Sequence, residues 1–173
     1  MYNVLHVIGH IGRGGDTTVV LDVMKNMDYS KFHFDFITHK GAKEEIVKEL
    51  RDAGSKVYIM DGDVRELGLI NYYKNFLKAL KQMNVCYDAI HVHTGMQSGV
   101  ALAAARKAGI PKRICHSHVT AIQRKTSIIK KSLQHRYFDI YTLKIQPLRL
   151  PAVKTLEHLC MGKTANLRLF IMR

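Results

Sequence analysis

Apolar positions along this chain follow two alternating rhythms. "NVLHVIG" (3–9) is apolar with almost no alternation, which suits a strand covered on both faces. A glycine-rich stretch, "HIGRGGD", follows, and then "TTVVLDVMKNM" (17–27) with Val20, Val23, Met24 and Met27 at helical spacing. "FHFDFIT" (32–38) alternates as a second strand. "AKEEIVKELRDAG" (42–54) is a helix that turns Ile46, Val47 and Leu50 inward and ends at Gly54. "SKVYIM" (55–60) is a third strand, and the turn-rich "DGDVRELG" leads to a helix over 69–83 with apolar positions at 69, 70, 73, 76, 77, 80 and 83. "YDAIHVH" (87–93), "MQSGVALAAARKAG" (96–109) and "KRICHSH" (112–118) add a strand, a helix and a strand, and "RKTSIIKKSLQHRYFDIYTLK" (124–144) reads as a basic amphipathic helix. Five strand–helix alternations imply an α/β fold, a doubly wound parallel sheet with helices on both faces. Ligands of such sheets sit beyond the C-terminal strand ends, where the strand order reverses. That directs attention to the segments after the first, fourth and fifth strands.

Composition changes the picture in two respects. The 173 residues, 47% hydrophobic and 24% charged, suit one globular domain with a sizeable core. No apolar run reaches the roughly 20 residues of a bilayer span, and the opening segment reads as a buried strand rather than a signal peptide. Cys86, Cys115 and Cys160 are widely spaced and form no C-x-x-C pair, so buried thiols in a reducing compartment are expected. The net charge of +13 is uneven: residues 114–173 carry 11 Lys and Arg against 2 Asp and Glu. A basic C-terminal third suits nucleic acid, anionic lipid or phosphorylated substrates, and charge does not choose among them.

The loop "GHIGRGGDT" lets backbone approach a ligand closely at Gly12, Gly14 and Gly15, and the helix after it offers free N–H groups to an anion. Arg13 can add a charged contact and Asp16 can cap the helix. The spacing is not G-x-G-x-x-G, and the second strand ends in His39 and Lys40 instead of an acidic residue, which argues against a dinucleotide. A plain tight turn is the alternative. His91 and His93, and likewise His116 and His118, stand two apart on strand ends, each pair on one side of its strand. No carboxylate or cysteine accompanies them at ligand spacing, so no metal is expected. Core histidines bonded to backbone, or an imidazole working on a sugar hydroxyl or phosphate, are the two remaining readings. Lys125, Lys130, Lys131 and Arg136, interleaved with Ile128, Ile129, Leu133 and Tyr137, suit either an ordinary packed helix or an anionic membrane surface. Nucleic acid is the weaker partner, because no recognition-helix, RNP-like or zinc-finger pattern occurs.

"NVLHVIGHIGRGGDTTVVLDVMKNMDYSKFHFDFITH" and "YDAIHVHTGMQSGVALAAARKAGIPKRICHSHVT" together resemble the N-terminal half of GT-B glycosyltransferases. The resemblance is to the retaining, group-1/family-4-like enzymes of bacterial capsular and exopolysaccharide synthesis, and it covers residues 2 to about 143. It implies a Rossmann-like acceptor-side domain, with a nucleotide-sugar donor held by a C-terminal half and no bound metal. Gly12 to Gly15, with Arg13 and Asp16, match the loop that nears the donor diphosphate and acceptor. His93 and Thr94 match the fourth-strand end, and His116, followed by His118, matches a histidine that contacts the reacting sugar. Asp16-Thr17 departs from the Ala-Glu usual in the family. The basic helix matches a region that meets the membrane bearing a lipid-linked acceptor, implying a place at the inner, cytoplasmic face of the cell membrane.

The last 30 residues, "KIQPLRLPAVKTLEHLCMGKTANLRLFIMR" (144–173), break the rhythm. The family continues here into "ACSK" and a strand like "KIIYNA". Read in triplets starting on the third base of each codon, permitted codons for this tail give "NTATKIACSKDAGTFMYGENCKFKIIYNA". Residues 1–143 are therefore expected to form the glycosyltransferase domain, and 144–173 a frame-shifted, poorly ordered tail. On this reading the chain lacks the donor-binding half and transfers no sugar alone, and the fifth strand is left with an unpaired edge. A stand-alone acceptor-binding module, or a half-enzyme with a separately encoded C-terminal partner, is the alternative.

Overall fold

A computed structural model describes residues 1–12, 14–117 and 168–172. The order is β1 (Tyr2–Ile8), α1 (Gly15–Lys25), β2 (Phe32–His39), α2 (Glu44–Asp52), β3 (Val57–Met60), α3 (Val64–Met83), β4 (Ala89–Val92), a 3₁₀ turn (Gly95–Gln97), α4 (Ser98–Lys107), β5 (Lys112–Ser117) and β6 (Arg168–Met172). The sheet runs β3-β2-β1-β4-β5-β6. Its first five strands are parallel, and β6 lies antiparallel on β5. The α/β, doubly wound sheet expected from the alternation is present.

Each face has its own core. Leu5 and Val7 of β1, Ile37 of β2, and Ile90 and Val92 of β4 pack with Tyr72, Phe76 and Ala79 of α3 and Ala101 and Ala105 of α4. The opposite face joins Ile8, Phe34 and Phe36 to Val20 and Met24 of α1 and Val47 and Leu50 of α2. Successive residues of a strand serve opposite cores, so the near-continuous apolar run of β1 is required by a two-faced sheet. Small α4 residues (Ala101, Ala104 and Ala105, all 0% exposed) let that helix sit close to the strands.

Three details differ from the sequence expectation. The "turn" after β3 is a helix start: Asp63 caps α3 by accepting from the Arg65 and Glu66 N–H groups, while the Glu66 carboxylate accepts from the Asp63 N–H at 3.1 Å. This D-x-x-E capping box adds one turn before a kink at Gly68, whose φ of 73° is outside the helical region. The buried face of α3 is Tyr72, Phe76, Ala79, Leu80 and Met83, while Leu69 and Ile70 are exposed. Both directly follow the kink, at the start of the helix expected over 69–83. Cys86 is exposed instead of buried, because it lies in the connection that follows the left-handed Asn84 cap of α3; Cys115 is buried. The α2 terminus does follow expectation. Gly54, at φ 92°, donates to the Arg51 carbonyl and Ser55 donates to that of Leu50, the paired bonds of a glycine-terminated helix.

The β5 edge is also covered, with Arg113 to Ser117 in register with Met172 to Arg168. The expectation of an unpaired β5 edge is corrected there. The helix expected over 124–144, the remainder of the tail and Cys160 lie outside the described residues.

Candidate functional site

β1 has β2 on one side and β4 on the other, and its two flanking connections pack on opposite faces. A crevice therefore opens beyond the C-terminal ends of β1 and β4. The β1–α1 loop forms one wall, and the segment from His93 through the 3₁₀ turn forms the other. The walls meet at Gly9, where a Cβ would stand 3.7 Å from the Thr94 methyl group. The His93 N–H donates to the Val7 carbonyl, and the Thr94 and Ser98 hydroxyls lie 3.4 Å apart.

The glycine loop is tied from beneath by two threonines. The Ile11 N–H donates to Thr38 Oγ1 and the Gly12 N–H to Thr17 Oγ1, both at 3.2 Å; Thr17 Oγ1 also contacts the His10 carbonyl. Thr17 and Thr38 are almost fully buried. Their role was missed because a hydroxyl tying a loop leaves no periodic signal. Gly14 occupies the N-cap of α1 with no side-chain cap, and Asp16 is the second helical residue. The expectation that Asp16 caps the helix is therefore corrected: the helix begins one residue before it. A carboxylate-bearing residue in the first turn still suits the helix dipole.

The glycines differ in what demands them. A Cβ at Gly12 would come within 3.2 Å of the His10 ring, so packing restricts that position. A Cβ at Gly15 would meet nothing within 4 Å. Gly14 has ordinary extended angles, φ −90° and ψ 163°. Neither packing at Gly15 nor backbone strain at Gly14 calls for glycine.

Beside this loop stands a polar cluster that the sequence reading did not assemble. His39 Nε2 lies 3.1 Å from the Tyr72 hydroxyl, and burial lowers the imidazole's pKa against the opposing charge of Asp63. Asp63 accepts from Gln97 Nε2 at 3.2 Å, and Lys40 pairs with Glu66 at 2.8 Å. The ends of β2, α3 and the 3₁₀ turn are thereby joined around the crevice. The signal available was the capping box, which places Asp63 and Glu66 at a helix start above the sheet.

Four histidines gather on the α1/α2 side of the sheet. His6 stands opposite His91 in the β1–β4 register. His6 Nδ1 is 3.2 Å from His93 Nε2, and the His91 and His93 rings are 4.0 Å apart. His116 completes the row, 5.4 Å from His91 and 5.2 Å from His93 between ring centres. Burial drives the pKa of His6 from 6.5 down to about 4, so this ring is neutral at neutral pH. The structure thus brings His91, His93 and His116 together as the strand ends suggested. It adds His6, which looked like one more residue of an apolar strand. His93 and His116 are buried, at 6% and 4% exposure, and His91 is half-buried. Among the described residues one group has metal-like spacing: His6, His91 and His93.

Arg13, His118, Lys125, Lys130, Lys131 and Arg136 lie outside the described residues. A groove of about 320 Å³ is lined by Leu77, Leu80, Val85 and Ile110 among others, at the opposite, N-terminal edge of the strands. It holds none of the site residues above. Among the described residues, no helix is long and apolar enough to cross a membrane.

Comparison with known proteins gives a consistent picture. No protein-family model matches the chain. It is 35% identical over 118 residues to EpsF of Bacillus subtilis (strain 168), a protein named as a glycosyltransferase, covering 68% of this chain and 30% of that one. It is 27% identical over 116 residues to the capsular polysaccharide biosynthesis glycosyltransferase CapH of Staphylococcus aureus, covering 67% of this chain and 30% of CapH. The chain thus spans about a third of the length of these relatives. Its fold matches the crystal structure of Acinetobacter baumannii MurG with a TM-score of 0.52 at 18% identity, over 79% of this chain and 39% of MurG. The parallel sheet with its flanking helices is the Rossmann-like half of a GT-B fold.

Proposed function

We propose that this chain, a relative of bacterial glycosyltransferases, acts as the acceptor-side half of an enzyme that moves a hexosyl group from a nucleotide-diphosphate sugar to a polysaccharide or lipid-linked acceptor. The observation that carries the reading is the convergence of Gly12, Gly14, Gly15, His93, Thr94 and His116 at the C-terminal ends of three adjacent parallel strands. Sequence kinship to EpsF and CapH supports the class of reaction.

In this reading the α1 N-terminus and the uncovered Gly14–Gly15 backbone receive diphosphate charge, with Arg13 and Asp16 beside them. Thr94 and His93 hold acceptor hydroxyls. His116 contacts the reacting sugar as a hydrogen-bond partner or proton carrier, with His118, two residues on in the sequence, a further substrate contact. Transfer proceeds with retention at the anomeric carbon. Residues 1–143 form the acceptor domain, 144–173 are an out-of-frame tail, and Lys125, Lys130, Lys131 and Arg136 face an anionic membrane at the inner surface of the cell. The donor is gripped by a C-terminal half, without which residues 1–173 transfer no sugar; the alternative is a stand-alone acceptor-binding module or a half-enzyme completed by a separately encoded partner.

A chimera tests this, with residues 1–117 of this chain replacing the aligned segment of the Bacillus subtilis relative. The chimera is expected to transfer hexose from a panel of nucleotide-diphosphate sugars to a lipid-linked acceptor, while the unmodified chain does not. His116→Ala in the chimera lowers the rate by roughly 100-fold or more, the scale of a lost acid–base or sugar contact. A folded chimera that shows no transfer, or one indifferent to His116→Ala, overturns the proposal.

A further inference from the structure

We propose that His6, His91 and His93 form a binding site for a borderline-soft divalent cation of the zinc class, joining β1 to β4 at the switch point of the sheet. The inference goes beyond glycosyl transfer and does not depend on it.

Geometry comes first. One ligand atom from each of the three imidazoles lies within 4.8 Å of the other two. Zinc–nitrogen bonds of about 2.0–2.1 Å in a tetrahedron separate neighbouring ligand nitrogens by about 3.4 Å. His6 Nδ1 and His93 Nε2 already stand at 3.2 Å. One edge of the tetrahedron is therefore set, and the third ligand atom, from His91, lies within 4.8 Å of both. An ion entering here replaces the His6–His93 hydrogen bond with two bonds to the metal.

Scaffold and chemistry agree with this. His6 and His91 are register partners on hydrogen-bonded strands, and His93 follows His91 by one pleat. All three backbones belong to, or directly extend, the sheet, so little ordering is required when an ion binds. The group holds imidazoles and no carboxylate, which selects zinc, cobalt, nickel or copper over magnesium, calcium or manganese. Three protein ligands leave a fourth position for water. His91 is half-buried. His116 is next in the row, so an ion at this site lies beside the residue assigned to the sugar.

The test uses the full chain, stripped with a chelator and titrated with Co²⁺ and then Zn²⁺. One Co²⁺ per chain is expected, with the intense visible absorption of four-coordinate cobalt, and one equivalent of Zn²⁺ removes the colour. His6→Phe and His91→Phe keep the ring volume. Each is expected to weaken binding by roughly 100-fold or more, since even a partner behind a ligand is worth about 10–100-fold. His10→Asn, in the exposed loop, binds as the unaltered chain does. The proposal is overturned if the folded chain binds no more tightly than the same chain in urea. It is also overturned if the cobalt complex shows only weak six-coordinate absorption, or if both Phe variants, folded by circular dichroism, bind normally. Should those variants fail to fold, the stoichiometry and spectrum of the unaltered chain decide the matter.

Discussion

Asp35 is fully buried in the middle of β2, and its carboxylate is the hub of three interactions. Oδ2 accepts from the Tyr87 hydroxyl at 2.8 Å, while Oδ1 accepts from the Lys56 N–H at 2.7 Å and lies 2.9 Å from His33 Nε2. Tyr87 precedes β4 and Lys56 precedes β3, so one side chain ties the middle of β2 to the beginnings of β3 and β4. Tyr87→Phe removes the hydroxyl and leaves the ring in place, so no cavity complicates the result. A hydrogen bond to a charged group is worth about 1.5–3 kcal/mol, and the loss should fall in that range. With a urea slope of about 1–3 kcal/mol per molar, the unfolding midpoint drops by about 1 M. Asp35→Asn keeps the shape of the hub and removes the charge, so Tyr87→Phe costs less in that background, and the cycle reports a coupling of about 0.5–3 kcal/mol. Alkali gives an independent check. Burial first, and the Asp35 carboxylate second, raise the Tyr87 phenol far above its ordinary 10.0. The folded chain holds the neutral phenol, whereas the unfolded chain ionises it above pH 10. Stability from this group is therefore complete below that pH and is lost as pH rises beyond it, in the unaltered chain but not in Tyr87→Phe. A Tyr87→Phe chain within 0.5 kcal/mol of the original, or strictly additive with Asp35→Asn, refutes the reasoning.

Two other expectations are simpler to check. Gly15→Ala meets no neighbour within 4 Å and should leave stability unchanged or raise it by about 0.4–1 kcal/mol; in the active chimera it should nonetheless slow transfer, and an unimpaired rate removes the ligand-approach argument for this loop. For His6, the folded ring is neutral down to about pH 4, whereas the unfolded ring takes a proton below 6.5. Stability is full above pH 6.5 and falls as pH drops toward 4, by roughly 3 kcal/mol at most, with a chelator present. His6→Phe removes that part of the pH slope, and equal slopes in thermal or urea unfolding would show that the ring is not held neutral by burial.

The elements and their order were legible along the chain, because a strand buried on both faces and an amphipathic helix impose different periods on neighbouring residues. Gly54 announced a helix end through the positive φ it adopts. The strand-end histidines and the glycine loop were legible for a second reason: in a parallel α/β sheet, a residue closing a strand has only one edge on which to stand. What chain order did not contain is which strands become neighbours. His6 and His91 are 85 residues apart and become partners only because β1 and β4 pair across the switch point. Asp35 looked like the polar position of an alternating strand, and only the packed sheet reveals it as a buried hub. The true start of α3 lay in a stretch that reads as turn, because the Asp63–Glu66 capping box opens a helix before the non-helical Gly68. Local periodicity is a property of consecutive residues, and pairing across a sheet is a property of the closed fold. The first sets the elements, and the second sets which imidazoles, hydroxyls and carboxylates come within bonding distance.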